Sequence, residues 1–563
     1  MRASAAVLRH PAAIAPHRQG RLTSPRRGGK SPRPPLRPRG CRRYTVRGVA
    51  GSIHGNHDGA LPPPTLAARL LASPAVPLAF ATAVYAPLLH NYFYLDDFFE
   101  LYGVVNEPLL PFLLKPMSGH LLVVRNAVLA LCYHVFGMDP RGYFALVLAT
   151  HLFNVWLLFK VIRTLTGSAK LACLGSTLWG STPVQEGTLG WYAVYGHALA
   201  TTALLLLLAD LGRLSVRGRA PSWGRLALWY AVLLAGTNCF GTAIAAALAF
   251  PLVAALLVPP VAGRGRAAVL ATLWVTVPAL WLLQYRVAAR YGAVDALQMP
   301  LLLAFAKSWR ADALMAARLF PHGLVALATG FLVPRWQENG IVVTGVVALY
   351  AAAATLALLW GTAADRRIFL ASFLLASAVY AMIVLGRAGI YQAFGLDRSL
   401  LQMTPRYHYE ASAALAISIC AIFRAVGRRW LLPSTVRSGL TIAWLLALAL
   451  TFALSGWHMD HHDQSRKDTA AALASIRQAV ATQPPSSLVL ISNRRLPIAG
   501  MMPPEASFPG LAAVFALFFP GDRLDGRTVR FLESDAEAVR AARRGLRSRR
   551  LILPAPPAKP RPP

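Results

Sequence analysis

Acidic residues are scarce in this chain, 23 Asp and Glu among 563 residues, so an adjacent pair is the first place to look for chemistry. Asp96 and Asp97 stand in NYFYLDDFFELYG, ringed by aromatic side chains. A carboxylate against an apolar wall loses hydration, and a second carboxylate beside it adds repulsion. Both effects raise its pKa and suit it to take a proton from an attacking group. The same residues also read as a helix N-cap with interfacial aromatics, because Asp caps helices and Tyr and Phe line headgroups.

Three more polar islands interrupt the apolar sequence. The stretch KPMSGHLLVVRNAVLALCYHVFGMDPRGY joins Lys115, His120 and Arg125 to a run with helical apolar spacing, the pattern of an amphipathic helix lying at a membrane surface. Its cations offer charge-assisted hydrogen bonds to a lipid-linked phosphate, or equally to bulk headgroups. In STPVQEGTLGWYAVYGH, Glu186 and His197 surround Trp191, Tyr192 and Tyr195. That composition makes a shelf for a sugar or an aromatic belt at the membrane boundary. In QMTPRYHYEAS, Arg406 with Tyr407 and Tyr409 suits a phosphate, or is a snorkelling Arg among belt tyrosines. A later run, His458, Asp460, His461, His462 and Asp463, has metal-binding composition but no second ligand group at motif spacing. No metal ligand is assigned, and no cofactor beyond a divalent ion left open.

The elements that must position these residues are membrane helices. Of the residues 56% are apolar and 14% charged, with a mean hydropathy of +0.47, whereas a soluble domain carries about 25% charged residues. A spanning helix needs roughly 20 apolar residues to cross about 30 Å of hydrocarbon. Stretches of this kind are expected at 67–90, 143–164, 171–188, 192–212, 226–240, 242–260, 268–288, 341–361, 368–386, 409–425 and 438–457. The net charge of +34 resides in the two tails and in short loops, such as the one with Arg213, Arg217, Arg219 and Arg225. That is the positive-inside pattern of a membrane protein, not the basic face of a nucleic-acid binder. Alternation of these loops places the N-terminus in the cytoplasm and the Asp96 loop outside. It also requires 299–333 to be an external interfacial or re-entrant piece.

The ends differ from the middle. Residues 1–62 are rich in Arg, Pro, Gly and Ser and too poor in apolar residues to fold, so they read as a disordered basic tail or as the product of a start codon placed too early. After the membrane part, 63–457, the chain turns polar. Residues 458–550 show helical stretches at 468–481 and 534–545 around a β-rich run, SSLVLISN, and 551–563 is a Pro-rich tail. The five cysteines make no CxxC pair. The expected fold is an all-α polytopic membrane protein of about eleven transmembrane helices with external juxtamembrane helices, plus a small C-terminal extracytoplasmic α/β domain.

In their order along 67–457 these pieces resemble the GT-C superfamily of integral membrane glycosyltransferases, the group of protein O-mannosyltransferases and bacterial lipid-linked sugar transferases. The acidic pair follows the first span, and the turn at Phe136, Gly137, Asp139 and Pro140 comes next. His151 with Asn154 in the second span, Pro183 to Glu186 followed by Trp191, and Arg406, Tyr407 and Tyr409 complete the series. The resemblance implies a polyprenyl-phosphate-linked sugar donor and an acceptor of unknown kind at the outer face of a cell membrane, the inner membrane if the cell is bacterial. It implies Asp96 or Asp97 as the base, inversion at the anomeric carbon, and Arg406 with Tyr407, or Arg125, as phosphate ligands. Some relatives carry an Arg-Pro in the first external loop where this chain reads SGHLLVVRN, which makes His120 another candidate. A transporter or flippase of a lipid or small solute is the competing class, although no repeat relates the halves. A silent membrane scaffold is the third.

Overall fold

The computed structural model describes residues 72–94, 96–117, 120–258, 264–290, 301–329, 340–393 and 405–428 of the apolar part. Of the C-terminal part it describes 467, 470–471, 473–485, 487–492, 517–519, 523–532 and 549–551. The tail 1–62, the expected span 438–457, the 458–463 cluster, the helix expected at 534–545 and the last residues from 552 lie outside the described residues.

The described residues of the apolar part are predominantly helical. Its helices are α1 (Ala75–Tyr85), α2 (Asp96–Asn106), α3 (Leu109–Leu114), α4 (Val123–Phe136), α5 (Pro140–Thr166), α6 (Ala169–Ser181), α7 (Glu186–Leu189) and α8 (Gly196–Arg217). They continue with α9 (Trp223–Thr237), α10 (Ala243–Leu257), α11 (Arg264–Ala288), α12 (Leu301–Thr329), α13 (Gly340–Trp360), α14 (Ala363–Ala393) and α15 (Tyr409–Gly427). Local sequence sets the boundaries. Asp139 accepts from the Arg141 N–H at 3.0 Å with Pro140 in the first turn of α5. Gly167 takes the left-handed conformation that ends that helix, and Ser168 caps α6 by accepting from the Leu171 N–H.

Among the described residues five helical segments are long and apolar enough to cross a membrane: Pro140–Thr166, Tyr192–Arg217, Gly340–Trp360, Ala363–Arg387 and Pro405–Gly427. The chain is a predominantly α-helical membrane protein. Shorter helices occupy the expected stretches 67–90, 171–188, 226–240 and 242–260, and α11 covers 268–288. Of the segment 299–333, expected to be interfacial or re-entrant, the described residues Leu301–Thr329 form one 29-residue helix that is not among those five segments, and its Leu324, Val325, Ala326 and Leu327 are buried.

Hydrogen bonds in the core fasten α5, α6 and α15 together. The His151 ring donates from Nε2 to the Gly180 carbonyl and accepts at Nδ1 from the Tyr409 hydroxyl, both at 2.8 Å. The Trp179 indole donates to the Tyr409 carbonyl at 3.1 Å. Asn154 ties α5 to α8 by donating to the Ala198 carbonyl and accepting from Thr202. With no water in hydrocarbon to compete, each of these groups needs such a partner.

The bundle has two chemically different ends. At one, Arg424 donates to the Leu165 carbonyl at 2.9 Å, Arg424 and Arg428 pair with Asp365, and Gly212 packs on Thr164 and Leu165. Those contacts bring the arginine-bearing ends of α5, α8, α14 and α15 together. At the other end lie the start of α2, the turns 183–194 and 405–408, and the residues singled out for chemistry. In the C-terminal part, β1 (Leu488–Ser492), β2 (Arg523–Leu524), β3 (Arg527–Leu532) and β4 (Arg549–Leu551) form a sheet in the order β2-β3-β1-β4. There β1 is parallel to β3 and β4, and β2 is antiparallel to β3. Ile476 and Val480 pack against Val489, Phe519 and Val529 on it.

Candidate functional site

The first turn of α2 divides the two aspartates. Asp97 is buried and its two oxygens are occupied: one accepts from the Tyr94 N–H at 2.8 Å, the other from the Ala193 N–H at 2.6 Å. It therefore reaches back to cap its own helix and at the same time holds α2 against the 3-10 turn Tyr192–Val194. Asn91 adds a second tie by donating to the Gly190 carbonyl at 3.0 Å. Asp96, half-buried beside it, lies in the field of three guanidinium groups, Arg406, Arg125 and Arg387. Burial pushes its carboxyl above the ordinary carboxylate range, against the pull of those three cations.

The cations are held in different ways. Arg125 is fully buried, and its guanidinium grips Glu100 with both terminal nitrogens, one of them at 2.6 Å. Its charge reaches Asp96, while its hydrogen bonds are spent on Glu100, one helical turn further along α2. Arg387, near the end of α14, donates to Nε2 of His120 at 2.7 Å. Burial and the adjoining Arg387 hold the His120 imidazole well below its usual range, so it is neutral and its lone pair orients the guanidinium. Arg406 lies over the Trp191 ring at 5.0 Å and the Tyr407 ring at 4.8 Å, with Trp191 edge-on to Tyr94 at 5.9 Å. Arg406 also donates to the Tyr407 hydroxyl at 3.4 Å, and cation–π contact holds its guanidinium, a group that suits an anion.

The 405–408 turn that carries Arg406 depends on a close approach. A Cβ on Gly187 in α7 would stand 2.6 Å from the Pro405 Cβ and 2.7 Å from the Arg406 nitrogen. Gly187→Ala is expected to displace the turn and to destabilise the chain by about 1–3 kcal/mol, seen as a lower melting temperature in detergent. Gly224→Ala, where the added methyl meets open space, is the control and should leave it unchanged.

No protein-family model and no curated protein matches this chain. The chemistry of the site therefore rests on its own geometry. Of the residues singled out in the sequence, the structure brings together Asp96, Asp97, His120, Arg125, Trp191, Arg406 and Tyr407. Lys115 instead pairs with Glu107 at 2.6 Å and is partly exposed. Glu186 is buried at the start of α7. His197 joins a separate cluster with Glu410, and Tyr409 is a core pin on His151. Sequence reasoning missed Glu100 and Arg387. Glu100 lies four residues after Asp96 in the same run, a helical neighbour by spacing. Arg387 was signalled only by a charge at the end of an apolar stretch. Among the described residues no group of three His, Cys, Asp or Glu side chains is placed to hold a metal ion.

Proposed function

We propose that this chain is an integral membrane glycosyltransferase that moves a sugar from a polyprenyl-phosphate donor to an acceptor hydroxyl at the outer face of the membrane. The observation that carries this reading is a half-buried carboxylate, Asp96, among three arginines at the end of the bundle remote from the arginine-rich loops. A base and a phosphate ligand set within one site are what such a transfer needs. The acceptor O–H gives its proton to Asp96 as its oxygen attacks the anomeric carbon. The bond from that carbon to the phosphate oxygen breaks with inversion, and the departing phosphate takes the electron pair. Arg406 and Arg387 stabilise the charge that develops there. Asp97 fixes the helix start that aims Asp96, and Glu100 with Arg125 anchors the next turn.

The polarity of the bundle supports the placement. Loops rich in Arg face the cytoplasm by the positive-inside rule, which puts Asp96 on the opposite, outer side, where a prenyl chain in the bilayer presents its sugar phosphate. In the same reading the chain makes about eleven crossings, resembles the GT-C superfamily, and carries its sheet-containing C-terminal part as a small external α/β domain.

The test is direct. Full-length protein in lipid nanodiscs is incubated with radiolabelled polyprenyl-phosphate sugars and membrane extracts, and label is followed into lipid, glycan and protein. Transfer from a lipid-phosphate sugar is expected. Movement of the intact labelled lipid between leaflets without bond cleavage would instead make the chain a flippase. Cysteine labelling that reached position 96 only from the cytosol would remove the outer-face assignment.

A further inference from the structure

At the same end of the bundle a second polar cluster, His197, Glu410 and Thr242, takes no part in the chemistry assigned to Asp96. All three are more than nine-tenths buried. The Thr242 hydroxyl donates to Glu410 Oε1 at 2.6 Å, and His197 Nδ1 stands 3.3 Å from that same oxygen and 3.4 Å from Thr242 Oγ1. With the Thr242 hydrogen committed to Glu410, both groups facing Nδ1 present only lone pairs, so Nδ1 carries the ring proton. Nε2 is then an acceptor, and among the described residues it has no hydrogen-bond partner although it is buried. The Phe240 ring packs on the His197 ring at 3.7 Å and on the His120 ring at 4.6 Å, and His120 is the residue that orients Arg387. The Phe240 ring thus links the His197 ring to the imidazole that orients a cation assigned to the phosphate.

We propose that the Glu410–His197 dyad accepts a hydrogen bond from a hydroxyl of the sugar that the donor carries, an assignment that rests on the glycosyl-transfer reading. A lone pair backed by a carboxylate repels phosphate and attracts an O–H group, so the two ligand sets divide the donor between them. Arg387 and Arg406 take the anion, and His197 takes the carbohydrate. Neutral hydrogen bonds of this kind change affinity about fivefold to tenfold.

The experiment compares binding of hexosyl polyprenyl phosphate and of bare polyprenyl phosphate to full-length protein in nanodiscs. Wild type is expected to prefer the sugar-bearing lipid. His197→Phe should lose that preference, about fivefold to tenfold, with bare-lipid binding unchanged, and His197→Gln, which keeps an acceptor near the Nε2 position, should retain most of it. Preference unchanged in His197→Phe, or equal loss for both lipids, overturns the proposal. Should His197→Phe not insert, the nitrogen resonance of the wild-type His197 ring decides. It must shift on adding the sugar-bearing lipid and stay in place with the bare one, and any other pattern overturns the assignment. Wild type that binds neither lipid removes the glycosyl-transfer reading itself, and this one with it.

Discussion

Asp96→Asn is expected to lower sugar transfer by at least about a hundredfold, the usual scale of a lost general base, without loss of membrane insertion or of folding. Stability should move the other way. Burial raises the Asp96 carboxyl above the ordinary carboxylate range, so the folded chain holds its proton more tightly than the unfolded chain does. Stability from this group is present at low pH and is lost as pH rises from about 3.9, the unperturbed value, through the raised folded value. Above that window the Asp96→Asn substitution removes a charge the fold holds at a cost, and the variant should melt at the same temperature as the wild type or higher. Activity has the opposite dependence, since the base works only when ionised. Its acidic limb should lie above the ordinary carboxylate range and should vanish in the Asn variant. Wild-type rates from Asp96→Asn would remove the carboxylate from the mechanism. The corresponding Asp97→Asn variant serves as the contrast: with one oxygen left to accept, it keeps only one of the helix-capping and docking bonds and sets an NH2 against the other N–H, so its defect should appear in stability as well as in rate.

The second large effect concerns the buried pair on α2 and α4. Removing one partner of a buried, hydrogen-bonded ion pair strands the other charge, at a cost of about 3–5 kcal/mol. Arg125→Met and Glu100→Leu should each lower the denaturation midpoint by that scale, because Arg125 is completely shielded and Glu100 almost so. The double variant, which leaves no uncompensated charge, should recover most of the loss. Additive losses in the double variant would show that the two residues contribute separately and that their pairing is not what holds α2 in place. Transfer activity would separate the roles further. If the pair only anchors α2, the double variant keeps a sizeable rate, since Asp96 still has Arg406 and Arg387 near it.

The helical, membrane-embedded character of the chain was legible from the sequence because hydrocarbon imposes a simple demand, long apolar runs with charge at their ends. A break before the second long helix was legible at the Asp139-Pro140 turn, where the signal is local. The interior polar pins were half legible. His151 and Asn154 stand out as polar residues in an apolar span, but nothing local shows that Tyr409, more than 250 residues later, supplies the partner. The same limit applies at the site. Asp96 and Asp97 look alike in sequence, and only the approach of the 192–194 turn, which presents the Ala193 N–H, makes one a structural acceptor and leaves the other among cations. Arg125 reads in the sequence as a ligand for phosphate, yet the structure turns it toward Glu100, whose reach across one helical turn the spacing allows without announcing it.

The three arginines around Asp96 come from widely separated parts of the chain, and this has a consequence for biogenesis. At roughly 5–20 residues per second, the ribosome finishes Arg406 about 15–60 s after Asp96, and Arg387 only shortly before it. Throughout that interval the nascent protein already carries Asp96, Asp97 and Glu100 on one newly made helix, with Arg125 as the first of the three arginines to follow and Glu100 as its partner. The Glu100–Arg125 clasp joins residues only 25 positions apart, so it is the one of these contacts that can close before Arg387 and Arg406 have been made.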